Sequence, residues 1–347
     1  MKKRTILFSL SILLMFSAFL GGCNSKNQIT LHVYNWGDYI DPDILKEFEK
    51  ETGIKIKYDM FATNEEMYVK INQGTAKYDI AFPSDYMIEK MIKEGLAEKI
   101  DFNNIPNYRY IDDRFKDLDF DPTNEYSVPY MWGTLGILYN KTMVDDPVDS
   151  WDILWNPKYE KQILMLDSQR DTLAIALKRL NYSMNSMVDA ELEAAKTSLI
   201  EQRPLVLAYV GDEVKDKMIG EEAALAVVWA GDAIAMQREN PDLEYVIPKE
   251  GTNLFVDSIV IPSTVQHKAE AEKFIDFLCR TDIAFKNTDY IGYSTPHTEA
   301  VTQLDPELAN SPIAYPKEED LEDAEIFIDL GTYLEQYNRV WTDIKAH

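Results

Sequence analysis

The 347 residues carry 60 Asp and Glu against 35 Lys and Arg, a formal charge of −25, so the chain repels the phosphate backbone of nucleic acid and no nucleic-acid partner is expected. The same acidic field draws cations and speeds their encounter. Cys23 and Cys279 are the only two cysteines, no internal disulfide is expected, and a chain of this length must be held by a large core that usually divides into two lobes.

Lys2, Lys3 and Arg4 precede an apolar run over residues 6–20 that is interrupted only by serines. The run is shorter than the roughly 20 residues of a membrane-spanning helix and fits a secretory signal over 1–22. It closes on Leu20-Gly21-Gly22-Cys23, which resembles a bacterial lipobox. That resemblance implies cleavage before Cys23, a diacylglycerol on its sulfur and retention at the extracellular face of the cell membrane, periplasmic if an outer membrane is present. Residues 23–28 would form a short polar tether.

Ile29, Leu31 and Val33 alternate with polar residues and predict a strand. Asp41-Pro42 reads as an N-cap followed by proline at the first helical position; Ile44, Leu45 and Phe48 supply an apolar face, and Gly53 ends the helix. A strand over 54–58, a helix from Asn64 to near Gly74, a strand over 78–82 and a helix from Ser84 or Asp85 to Gly95 complete a β-α-β-α-β-α order. Such an order implies a parallel sheet covered by helices. The pattern returns with a strand at 224–229, a helix start at 232–237, a strand at 255–261 and a helix over 267–278 that carries Ala269, Phe274, Phe277 and Leu278 on or near one face. A last helix carries Leu330, Tyr333, Leu334, Tyr337, Trp341 and Ile344 at helical spacing. No internal repeat, low-complexity tract or second apolar span is present in the sequence.

Ligands of open α/β sheets bind beyond the carboxyl ends of the strands. There the sequence repeats one pairing, an aromatic beside a carboxylate: Trp36 with Asp38, Trp229 with Asp232, Phe255 with Asp257. Tyr39, Tyr86 and Tyr293 add rings. Methylenes pack on ring faces, and ammonium groups sit over rings or against carboxylates, so the mixture suits a flexible aliphatic chain with ammonium ends. An ammonium taken out of water without a partner costs several kcal/mol, more than a cation–π contact of about 0.5–2 kcal/mol returns. The site therefore needs about one carboxylate per ligand charge, and Asp38, Asp171, Asp232 and Asp257 are the candidates.

Several stretches together carry a specific resemblance: Tyr34-Asn35-Trp36-Gly37-Asp38-Tyr39, Glu51-Thr52-Gly53-Ile54, Tyr126-Ser127-Val128-Pro129-Tyr130-Met131-Trp132-Gly133, residues 163–171, Pro248-Lys249-Glu250-Gly251 and Ile291-Gly292-Tyr293-Ser294-Thr295-Pro296. Over most of its length the chain resembles the spermidine/putrescine-binding proteins of bacterial polyamine importers. The resemblance implies an α/β, two-lobed type II periplasmic-binding-protein fold, each lobe a mostly parallel sheet covered by helices. The lobes would comprise 29–133 plus 258–304 and 134–257 plus 305–347, with crossings near Gly133 and Asp257 and a return near Asp305. It implies that Trp36, Asp38, Tyr39, Ser84 and Tyr86 contact ligand from one lobe, Asp171, Trp229, Phe255 and Asp257 from the other lobe or the hinge, and that Tyr293 closes one side. It further implies permease and ATPase partners, a monomeric receptor, no cofactor and no catalysis. Spermidine-preferring relatives carry an acidic residue at the place of Ser168 and a glutamine at that of Phe327. Putrescine-preferring ones match Asp232 and Phe255, so chain length stays open.

Rival readings leave weaker traces. Asp117, Asp119 and Asp121 begin like a calcium loop, but Pro122 replaces the needed glycine and the twelfth position is not glutamate. His32, His267, His297 and His347 are scattered, without a zinc spacing. Gly-x-Ser-x-Gly and Gly-rich phosphate loops are missing, and Ser168 has no nearby histidine. A same-fold receptor for an amino acid would need a cation for the carboxylate; Arg170 is the candidate, and Asp171 beside it offers a neutralising partner. A sugar or ferric-iron receptor, a surface enzyme and a structural lipoprotein or adhesin are the remaining alternatives.

Overall fold

The computed structural model describes residues 28–347; the expected signal peptide and Cys23 lie outside them. Ten strands form one continuous, strongly curled sheet. Its first part sets β1 (Thr30–Trp36) between β2 (Lys55–Phe61) and β3 (Ile80–Ala81), all parallel. The connections are α1 (Pro42–Thr52) and α2 (Asn64–Gln73), and α3 (Asp85–Lys93) follows β3. These helices begin and end as the sequence dictates. Asp41 accepts the Asp43 N–H at 2.9 Å, Pro42 occupies the first turn, and Gly53 stops α1 at φ 73°, a conformation that costs other residues but not glycine. α2 starts at Asn64, where the sequence places it, and is capped by Thr63, whose hydroxyl accepts the Glu66 N–H.

The second part repeats the plan. β6 (Ile163–Leu166) lies parallel to β7 (Val206–Val210) and β8 (Leu225–Trp229). Its helices are α4 (Gln169–Arg179), α5 (Asp189–Gln202), α6 (Val214–Ile219) and α7 (Ala230–Glu239).

Two long strands join the parts. β5 (Ser127–Asn140) pairs through Thr134 with β10 (Leu254–Pro262) and from Leu135 with β8, both antiparallel. β10 sits between β3 and β5 and also pairs with β4 (Ala97–Glu98), while β9 (Leu243–Val246) edges β5. The only register shift between β5 and β10 falls at Asp257/Ser258, opposite Met131 and Pro129. Pro129 has no N–H to give the ladder, and a bulge there re-aims the neighbouring side chain.

Helix α8 (Lys268–Leu278) closes the first core, Phe274 and Phe277 meeting Phe48 edge-on at 4.8 and 5.3 Å between ring centroids. α9 (Thr281–Ile291) follows it. In the second part Trp151 is wholly buried and donates its indole N–H to the Gly251 carbonyl at 2.9 Å. The final helix, α12 (Leu334–Ala346), packs on α4 and α5 through Tyr337, Val340 and Ile344; α10 (Thr298–Val301) and α11 (Pro306–Ala309) are single turns between α9 and it. Leu330 and Tyr333 do not belong to α12, because Gly331 at φ 54° and a 3-10 turn interrupt the helical spacing before Leu334. Among the described residues no helix is long and apolar enough to cross a membrane.

Candidate ligand-binding cleft

The carboxyl ends of β1, β2, β3, β6, β7 and β8 converge on one cavity of about 170 Å³. β1 delivers Trp36, then Asp38 and Tyr39; β2 ends at Phe61, and Glu65 begins the following helix; β3 leads to Ser84, Asp85 and Tyr86. From the second part β6 leads to Ser168, Arg170 and Asp171, β7 to Asp212, and β8 to Trp229 and Asp232. β10 contributes Phe255 and Asp257 across the gap, and the turn after α9 contributes Tyr293. All twelve residues singled out from the sequence border this cavity, and Phe327 borders it as well.

The rings form its walls. Tyr39 meets Tyr293 edge-on at 4.8 Å, Phe255 lies 6.3 Å from Tyr293, and Trp36 tilts over Phe61 at 4.5 Å. Two glycines make room for them. A Cβ at Gly133 would come 2.8 Å from the Phe255 ring, and one at Gly231 only 2.1 Å from that of Tyr293.

Asp257 is buried against these walls. One oxygen accepts the Tyr39 hydroxyl at 2.7 Å; the other is buried with no hydrogen-bond partner among the described residues. The backbone carbonyl of Tyr39 accepts the Tyr130 hydroxyl at 2.7 Å. Burial pushes the Asp257 carboxyl up to about 7, against the pull of the Ser84 and Tyr39 hydroxyls. Burial likewise lifts Asp171 to about 6, although Ser168 donates to it and the Arg170 charge lies close. Asp85, beneath them, reaches about 8 despite accepting the N–H groups of Tyr86 at 2.7 Å and Val256 at 3.2 Å. Asp85, Asp171 and Asp232 stand in the first turns of α3, α4 and α7, where the helix dipole favours negative charge.

Arg170 does not pair with Asp171. Its guanidinium donates to the Ile328 carbonyl at 3.1 Å and to Asn185 at 3.0 Å, and it lies 4.5 Å over Phe327 and 4.8 Å over Tyr86. It therefore braces the floor rather than presenting a cation to the cavity. Asp38 also differs from its fellow acids. Its side chain is 79% exposed and faces Lys215, with 3.3 Å between Oδ2 and Nζ.

Glu65, Asp85 and Asp212 border the cavity without having been singled out from the sequence. Asp85 was legible only as a candidate start of the helix that follows the strand at 78–82. Glu65 had a fainter signal, a carboxylate shortly after a strand end. Asp212 had none, because β7 exposes Leu207 and lacks a clear alternation. Asp117, Asp119 and Asp121 do not gather as a loop around an ion: Asp121 turns inward and accepts the Tyr126 and Ser127 N–H groups at 3.0 and 2.9 Å.

A two-part sheet with a cleft at its carboxyl edges, walled by rings and lined by acids, defines a receptor for a small solute. Residues 43–316 match the family of bacterial extracellular solute-binding proteins, and the chain belongs to it. It is 36% identical over 329 residues to spermidine/putrescine-binding periplasmic proteins of Salmonella typhimurium and Escherichia coli, covering 94% of this chain and 94% of each relative. Its structure is similar to that of a putative spermidine/putrescine ABC transporter protein from Listeria monocytogenes (TM-score 0.89, 46% identity, 91% of this chain and 98% of that one). It is also similar to a spermidine/putrescine ABC transporter substrate-binding protein from Streptococcus pneumoniae (TM-score 0.80, 40% identity, 92% and 99%).

Proposed function

We propose that this chain is the extracellular receptor of an ABC importer and captures a short polyamine, putrescine or spermidine, in the cleft. The observation that carries the reading is the free oxygen of Asp257, a buried acceptor with no partner among the described residues, set among Trp229, Phe255 and Tyr293 and near Asp171. An ammonium supplies both the donor and the charge this oxygen needs, while methylenes suit the ring faces. An amino-acid carboxylate would need a cation, and the terminal nitrogens of Arg170 are turned to Ile328 and Asn185.

In this reading Tyr39, Ser84, Tyr86, Asp171, Trp229, Phe255, Asp257 and Tyr293 hold the ligand, which undergoes no covalent change. Residues 29–133 with 258–304, and 134–257 with 305–347, act as lobes that close over it by a hinge movement. The change of β5 from pairing with β10 to pairing with β8, between Thr134 and Leu135, supports a crossing there. Lipid attachment at Cys23 would keep a monomeric receptor beside its permease and ATPase. A thermal-shift screen of protein lacking residues 1–23 tests the ligand class, because a ligand that binds only the folded state raises its melting temperature. Putrescine or spermidine should give the rise; a rise with amino acids, sugars or ferric salts alone refutes the reading.

A further inference from the structure

We propose that Lys215 is a built-in ammonium that satisfies Asp232 and thereby sets how many positive charges the cleft takes from its ligand. The inference rests on the polyamine reading above. Lys215 stands on α6, in the second part of the sheet, and reaches three carboxylates: Asp38 at 3.3 Å, Asp232 at 3.6 Å and Asp212 at 3.8 Å. These contacts differ in weight. The side chains of Asp38 and Asp212 are 79% and 61% exposed, and ion pairs with exposed partners contribute little. The Asp232 side chain is 7% exposed and that of Lys215 20%, so this is the pair whose breakage strands a buried charge.

Asp232 and Asp257 both act on the Tyr293 phenol. Asp257 keeps an unpartnered oxygen, and Asp171 accepts the Ser168 hydroxyl. For Asp232 the lysine already supplies an ammonium, 3.6 Å away. Asp85 uses both oxygens on backbone N–H groups, so a ligand meets a pair of buried acids awaiting cations, Asp171 and Asp257, a count that matches a diamine. Without Lys215 it would meet three, a count that matches a triamine. The same side chain also reaches from α6 to Asp38 after β1, a contact between the two parts of the sheet.

The test is calorimetric titration of putrescine and spermidine into the purified wild-type chain and into the Lys215→Met, Lys215→Arg and Lys215→Met/Asp232→Asn variants. Lys215→Met should raise the affinity for spermidine relative to putrescine about tenfold, the worth of one additional charge-assisted contact. Lys215→Arg should keep the wild-type ratio. The double variant should return to it within about threefold, because it has no spare acid to satisfy. Lys215→Gln carries the expectation of the methionine variant should that chain not fold. An unchanged ratio in Lys215→Met, or an equal loss of both amines, overturns the proposal. A wild-type chain that binds neither amine instead overturns the polyamine reading.

Discussion

Asp79 and Asp121 are as deeply buried as Asp171 and Asp257, yet the two pairs are built on opposite plans. Asp79 accepts the backbone N–H groups of His32 at 2.9 Å, Gln266 at 2.8 Å and His267 at 2.9 Å. Asp121 accepts those of Glu125, Tyr126 and Ser127 and the Ser127 hydroxyl. Both fasten loops to the sheet, and their oxygens are fully used. In the cleft, donors are few and rings are many, so the acids are held back from ionising. Buried carboxylates of one residue type thus serve as fasteners where the backbone supplies donors and as receivers where it does not. The distinction lies in the partners, which separate elements bring together.

The largest test of this contrast is Asp257→Ala. It should weaken polyamine binding by about 3–5 kcal/mol, since a buried ammonium loses its partner, while leaving the melting temperature of the ligand-free protein unchanged or raised. Calorimetry showing wild-type affinity would remove Asp257 from the site.

Acidity comes next. A cationic ligand binds the ionised acids, so protonation of Asp257, near 7, and Asp171, near 6, should weaken binding about 10²–10³-fold between pH 8 and pH 5. Without ligand the sign reverses. An acid whose carboxyl is raised on folding contributes stability that is complete below the ordinary aspartate range and lost as pH climbs through its folded value. The melting temperature of the free protein should therefore fall from about pH 4 to about pH 7 relative to Asp→Asn variants, and polyamine should oppose that fall. A flat affinity profile contradicts the assignment of these acids as receivers.

Asp79→Ala should do the converse of Asp257→Ala. Three partly buried N–H groups lose their acceptor, costing about 2–4 kcal/mol of stability after partial relaxation, and the affinity of the folded fraction should stay at the wild-type value. Denaturant titration and calorimetry on the same sample separate the two effects. Trp229→Ala, the mildest change, should reduce affinity by about 1–3 kcal/mol through lost packing and cation–π contact; a silent result would make that ring part of the core.

Much of the parallel framework was legible because caps and stops are local. Asp41-Pro42 and Gly53 mark α1 without reference to anything distant. The joining strand β5 was not read as one element, because its fourteen residues are almost all buried and show no alternation. The same limit applies to the cleft. The aromatic–acid pairing at Trp36, Trp229 and Phe255 marks the strand ends, but Lys215 could not be found that way. It lies on a six-residue helix, and its meaning comes from Asp38 and Asp232, which are remote in the chain and adjacent in space. Arg170 misled for a related reason: its sequence neighbour Asp171 is not its partner, whereas Ile328 and Asn185 are.

The central place of β10 has a consequence for how the chain assembles. β3 and the leading half of β5 both wait for this strand, which arrives more than a hundred residues after β5 begins. A polypeptide released before Leu254 would leave two raw hydrogen-bonding edges that invite pairing with other chains. Such long-range closure favours slow, late completion of the sheet over stepwise growth. Neither portion can become a finished folding unit until that strand has been laid in.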